Sequence, residues 1–209
     1  FGQAKSAANL TFDQKPGYKL GMASYSTRKF DLDKTIQMAK RLAMNSISIK
    51  PDYHLPMDKT CEQQRAIAKK IRDAGLDFYA AGVIDMNTPE AVQKAFEFAK
   101  NTGIRIIIGV PEHHLLDLTE QKCKEYDIAV GIHNHGPTDK LYPSPTSAYD
   151  LIKHRDKRLG LCVDIGHTQR CGIDPADEIE KLADRVIDIH FKDVTAPEAE
   201  GTTIEIGHG

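Results

Sequence analysis

The sequence predicts an α/β fold: a (β/α)8 barrel in which seven strands are visible and the last βα unit is missing, so that the chain reads as C-terminally incomplete. Three observations predict it. From residue 18 onward, short β-like runs alternate with amphipathic segments at the period of βα units. No shift in composition divides the chain, so the alternation belongs to one domain, 18–209, with parallel strands covered by helices. The turn after the first strand, Met22-Ala23-Ser24-Tyr25-Ser26, lacks the glycines with which an open nucleotide-binding sheet cradles phosphate, and this favours the closed barrel. Barrels of this kind run to about 250 residues. The chain's 209 residues stop at Ile206-Gly207-His208-Gly209, where an eighth strand is due.

Taken in order, the predicted strands are Lys19–Ser24, Ser46–Lys50, Asp77–Val83, Ile104–Val110, Ala129–His135, Leu159–Asp164 and Arg185–Lys192. The helices between them carry their own punctuation. Asp31 and Thr60 supply side-chain oxygens to open the first two, and Asp73-Ala74-Gly75 closes the second. Thr88-Pro89-Glu90 opens the third with proline at the first helical position, Asn101-Thr102-Gly103 closes it, and Asp174-Pro175 repeats the opening before the last strand.

Composition narrows the function. With 28 Lys+Arg against 30 Asp+Glu, the formal charge is −2, so there is no broad basic field for nucleic acid. No run approaches the roughly 18 apolar residues of a membrane span. The four cysteines, Cys61, Cys123, Cys162 and Cys171, form no C-x-x-C pair and read as reduced structural thiols. Residues 1–17 read as an extended N-terminal segment. Gly2-Gln3-Ala4 and Ser6-Ala7-Ala8 have the small residues of a leader-cleavage region, but the apolar stretch of an export signal is absent, so cytoplasmic and exported locations both stay open.

The chemistry concentrates at the strand ends. Alternation in the seventh strand sets Ile187, Ile189 and Phe191 against Asp188, His190 and Lys192, and only the apolar set can pack on helices. The same rule turns Ser48 and Lys50, Cys162 and Asp164, and Gly131, His133 and His135 inward. Lys50, Asp85, Glu112, His133 or His135, Asp164 and His190 thus recur about once per βα unit, each at the C-terminal end of its strand, where barrel enzymes build active sites. His133, Asp164 and His190 come from consecutive strands, and two imidazoles with one carboxylate suit one divalent ion such as Mn, Co or Zn. His135 is the rival ligand or a substrate contact. Asn134 is expected to tuck its amide into backbone hydrogen bonds.

Further candidates lie around these. His167, in the turn after Asp164, can contact a substrate hydroxyl or carry a proton. Lys50 and Lys192 can bind an oxyanion, and Lys192 can equally pair with Asp193. Glu112 is a base or a loop residue, His113 and His114 are expected in solvent, and His54 lines the mouth or sits in a loop.

The runs Gly131-Ile132-His133-Asn134-His135-Gly136, Leu161-Cys162-Val163-Asp164-Ile165-Gly166-His167 and Ile189-His190-Phe191-Lys192-Asp193 resemble the sugar phosphate isomerase/epimerase family of xylose isomerase-like TIM barrels. The resemblance covers about residues 18 to 209. It implies one divalent metal held by Glu, Asp, His and Glu on strands five to eight. Asp164 and His190 match, and His167 matches a residue that commonly touches substrate. His133 stands where the first Glu is expected, and the last lies beyond the sequence. The family's two-glutamate proton shuttle therefore does not carry over.

What does carry over is a metal-dependent sugar isomerase or epimerase acting through a metal-stabilised enediolate. A keto-sugar lyase or dehydratase and a non-catalytic sugar-binding barrel are the alternatives. Site roles follow: His167, Lys192 and Glu112 catalytic; His135, Lys50 and His167 toward substrate; His133, Asp164 and His190 on metal. The expected partner is a small carbohydrate, with no nucleic acid or membrane, and the family is often dimeric or tetrameric. A DNA-repair endonuclease of the same superfamily uses three zinc ions, but Lys50 on the second strand and the −2 charge argue against that activity here.

Overall fold

A computed structural model describes residues 19–209; the N-terminal segment 1–17 lies outside the described residues. The elements run β1 (Gly21–Ala23), α1 (Leu32–Arg41), β2 (Ser46–Ile49), α2 (Pro51–His54), α3 (Cys61–Asp73), β3 (Asp77–Met86), α4 (Pro89–Thr102), β4 (Ile106–Pro111), α5 (Leu116–Tyr126), β5 (Ala129–His133), α6 (Pro145–Ile152), β6 (Leu159–Asp164), α7 (Ile165–Arg170), α8 (Pro175–Lys181) and β7 (Val186–His190). A short hairpin, β8 (Asp193–Val194) with β9 (Thr203–Ile204), follows. Strands β1 to β7 form one parallel sheet in chain order, a curled half-barrel covered by helices and a partial (β/α)8 TIM barrel. No helix among the described residues is long and apolar enough to cross a membrane.

The predicted caps hold the helices in place. The side chains of Asp31, Thr60, Thr88 and Asp174 each accept from a backbone N–H of the first turn, and Thr60 with Gln63 completes a reciprocal capping box. Gly103 ends α4 in the left-handed region at φ 69°, which a residue with a Cβ adopts only under strain.

Outward strand residues Ile47, Ile49, Phe78, Ile107, Val130, Ile132, Leu161 and Val163 join Ile71, Phe96 and Phe98 of the helices in the main core, all buried. Each such side chain contributes about 1.5–3 kcal/mol on burial. A smaller cluster of Ala80, Ile108 and Cys162, with Tyr79, Val83 and Ile106 against it, fills the concave side.

The seventh strand departs from simple alternation. Its register with β6 steps from Leu161↔Val186 to Cys162↔Asp188, leaving Ile187 as an extra residue. Val186 packs on the main core, whereas Ile187 lies in the space that side chains at Gly131 and Gly160 would take, with carbons 3.4 and 2.8 Å from their ideal Cβ positions. Ile187 therefore faces inward, not toward the helices, because two glycines on β5 and β6 leave it room. The crossover from β6 to β7 also holds two helices, α7 and α8, so His167 sits in the first turn of a helix rather than in an open turn.

Candidate metal centre

Parallel pairing of β5, β6 and β7 sets His133 beside Cys162 and Asp164 beside His190, all at the C-terminal ends of their strands. His133, Asp164 and His190 each offer a ligand atom, and these atoms lie within 4.8 Å of one another. His133 Nε2 is 3.3 Å from Asp164 Oδ2, and the rings of His133 and His190 have centroids 4.7 Å apart.

Asp164 is fixed from both sides. Its Oδ1 accepts from the backbone N–H of His167 at 2.9 Å, capping α7. Its own N–H donates to Asn134 Oδ1 at 2.9 Å, while the Asn134 amide donates to Thr168 Oγ1 at 3.1 Å. Asn134 thus spends its amide on hydrogen bonds at the strand end, as the sequence predicts.

Burial pushes the His133 imidazole down to about 3, against the opposing pull of Asp164. Burial likewise lowers His190. For Asp164, burial works upward, but the hydrogen bond from His133 and the charge of Lys192 override it and hold the carboxyl well below its usual range. Near neutral pH the site therefore presents two neutral imidazoles and an ionised carboxylate, the protonation states that a divalent cation requires. The buried Nδ1 of His133 has no hydrogen-bond partner among the described residues, so this ring carries bonding capacity that the protein does not use. The residues fit a divalent ion.

Beside this group stand the two candidate proton carriers. Lys192 Nζ is 2.9 Å from Asp164 Oδ2 and 2.8 Å from His167 Nε2. Lys192 therefore pairs with Asp164, not with its sequence neighbour Asp193, whose carboxylate accepts from the backbone of Gly207. Arg170 Nη1 lies 3.4 Å from His167 Nδ1. Lysine and arginine only donate, and a neutral imidazole has one acceptor, so the closer Lys192 takes the Nε2 lone pair and the ring proton sits on Nδ1. Burial lowers His167 to about 4, so it is neutral at physiological pH. Gly136, at φ 94°, passes close beneath this ring, with its ideal Cβ position 3.2 Å from Nδ1.

The remaining candidates are placed as follows. His135 stacks edge-on to His133 at 4.5 Å and faces Asp139 at 3.9 Å; the three-ligand group does not include it. Lys50 directs its ammonium to the Val83 carbonyl and, at 2.8 Å, to Asp52. Glu112 sits half-buried after β4, before a single 3-10 turn in which His113 and His114 are exposed, and Asp85 is exposed at the end of β3. His54 is not in a loop: it is buried in α2, the short helix after the C-terminal end of β2, and bonded to Ser24, Thr35 and Phe30. Arg170 was missed by sequence reasoning; its only signal there is the spacing of three from His167, which on a helix puts the two on one face.

One sequence comparison decides the family: residues 28–209 match the model described as xylose isomerase-like TIM barrel. The chain belongs to the xylose isomerase-like TIM barrel family. No curated protein matches it significantly. Among solved structures, this xylose isomerase-like barrel is similar to an uncharacterised protein from Parabacteroides distasonis (28% identity, 84% of this chain and 75% of that one, TM-score 0.72). It is similar in fold to the probable 3-DHS dehydratase AsbF of Bacillus anthracis (15%, 92% and 85%, 0.72) and to an IolI protein with a bound zinc atom (14%, 85% and 73%, 0.72). Epimerases and isomerases recur among the other structural neighbours, at 18% identity or below.

Proposed function

We propose that the protein is a divalent-metal-dependent sugar isomerase or epimerase acting on a keto- or aldo-sugar or a derivative. The observation that carries this reading is the convergence of two neutral imidazoles and one ionised carboxylate at the strand ends, with a neutral histidine alongside. His133, Asp164 and His190 would hold one ion of Mn, Co or Zn. Such an ion supplies Lewis acidity toward a substrate carbonyl or hydroxyl.

The chain's own groups supply the rest. His167, unprotonated near neutral pH, would accept a proton from a carbon next to a carbonyl once its Nε2 is free of Lys192, and Lys192 nearby would return one or hold a developing oxyanion. His135 and Lys50 are proposed to face substrate hydroxyls, and Glu112 is kept as a further base from the β4 end. With His133 in place of a glutamate, the fifth strand brings an imidazole where a second carboxylate base is expected. This observation favours, as a second reading, a keto-sugar lyase or dehydratase, which needs one proton removed rather than one moved between two faces.

The test is solvent exchange. The full chain, loaded in turn with Mn, Co or Zn, is incubated with ketoses and 3-keto-glycosides in deuterium oxide. One deuterium entering a carbon-bound position is expected, and Asp164→Asn, which keeps a side-chain cap for α7, is expected to abolish it while melting within a few degrees of the parent. Bound sugar without exchange in any metal form would leave only the sugar-binding barrel.

A further inference from the structure

The Lys192 ammonium sits on two groups that the proposed reaction needs free. It is 2.9 Å from Asp164 Oδ2, the oxygen that faces His133, and 2.8 Å from His167 Nε2, the only lone pair on that neutral ring. Asp164 Oδ1 is already committed to capping α7, so Oδ2 is the oxygen left for an ion.

The placement is built in. The Lys192 stem lies across Gly166: a Cβ there would come within 2.8 Å of Lys192 Cγ and 3.0 Å of Cδ. Glycine at this position keeps open the channel along which the side chain reaches Asp164. The charge is equally specific. Asp164 is buried with the Lys192 ammonium against its Oδ2, and an unpaired buried carboxylate is costly, so the ammonium serves as its counter-charge. An ammonium and a divalent ion sharing one oxygen would stand within a few ångströms of each other in a poorly solvated site, where like charges repel strongly.

We propose that Lys192 masks the site: its ammonium is the resident counter-ion of Asp164 and the cap on the His167 lone pair, and an incoming divalent cation must displace it, unmasking ligand and base together. Lys192 is in this sense a positioning residue, acting through Asp164 and His167. The inference rests on the metal reading above. It extends it by making metal loading the event that frees the base.

Two measurements on the full chain, stripped with chelator, test this without reference to turnover. Calorimetric titration with Co2+ is expected to give at least about tenfold tighter binding for Lys192→Met than for the parent. Lys192→Gln, which keeps a donor for Asp164 without the charge, is expected to fall between them and serves in its place if the methionine variant does not fold. In the unaltered protein, Lys192 is expected to react several-fold faster with an acylating reagent, followed by peptide mass spectrometry, once Co2+ is bound. General repulsion between cations would change affinity without exposing the amine. Co2+ bound with equal or weaker affinity in the variants, or with no change in Lys192 labelling, overturns the masking role while leaving the metal site standing. Co2+ binding in neither parent nor variants overturns the metal site and the mask with it.

Discussion

Tyr79 on β3 donates its hydroxyl to Asp188 on β7 at 3.0 Å, a bond that crosses the concave side of the sheet between strands four places apart. Burial pushes the Tyr79 phenol well above its usual range, and burial likewise raises Asp188, so each group is held where its charged form is disfavoured. The bond ties the curl of the half-barrel. Tyr79→Phe keeps the ring and leaves Asp188 Oδ2 without its donor, while Oδ1 keeps the Ile189 N–H. A loss of about 1–3 kcal/mol in urea unfolding is expected, and an unchanged midpoint would show that the curl does not depend on this contact.

His54 gives a pH dependence with a definite sign. Burial lowers its pKa below 6.5, against weaker support from the Phe30 carbonyl and Asp31. Its bonds fix the tautomer: Nε2–H faces the Phe30 carbonyl at 3.2 Å and the Thr35 hydroxyl at 3.1 Å, while Nδ1 accepts from Ser24 Oγ at 3.0 Å. The unfolded chain takes up a proton near pH 6.5 and the folded chain does so only lower. Stability from His54 is therefore present above pH 6.5 and is lost as pH falls below it, by at most about 1.4 kcal/mol per unit. Unfolding free energies from pH 7.5 to 5 are expected to fall less steeply in His54→Gln; parallel curves would dismiss the effect.

Arg185 is buried at the opposite end of the sheet from the site. Its guanidinium donates to the carbonyls of Lys153, Arg155, Asp156 and Leu159 at 2.9, 2.7, 3.0 and 2.9 Å, and so satisfies the chain leaving α6. A cation there also suits the negative end of the helix. Arg185→Met is expected to lose about 3 kcal/mol of stability by thermal or urea unfolding. Its Co2+ affinity, measured where the variant is folded, is expected to match the parent's.

The contrast among these residues shows what the sequence makes legible. Caps such as Thr60 and Thr88 act within three residues, and strands such as Leu159–Asp164 show their period directly, so both can be read locally. The convergence of His133, Asp164 and His190 is legible because parallel neighbours place strand ends together. The inward turn of Ile187 is not, since it depends on Gly131 and Gly160 on two other strands. His54 is equally hidden, because its partners lie 19 to 30 residues away. The Lys192 pairing with Asp164 and His167 escapes for a related reason: Gly166 makes the path, and adjacency in sequence points instead to Asp193.

Strand order in the sheet equals order along the chain, and the three candidate ligands, with His167 and Lys192 beside them, fall between residues 133 and 192. Because each strand pairs with the one before it in the chain, the sheet can grow by successive addition to one edge. During synthesis, strands β1 to β4 can settle before His133, Asp164 and His190 are made, and these three come together only when β7 docks. In heredity the same arrangement puts these five residues in one uninterrupted block, so that a single exchange of that segment between relatives would transfer the three candidate ligands, the neutral histidine and the lysine that covers them as a unit.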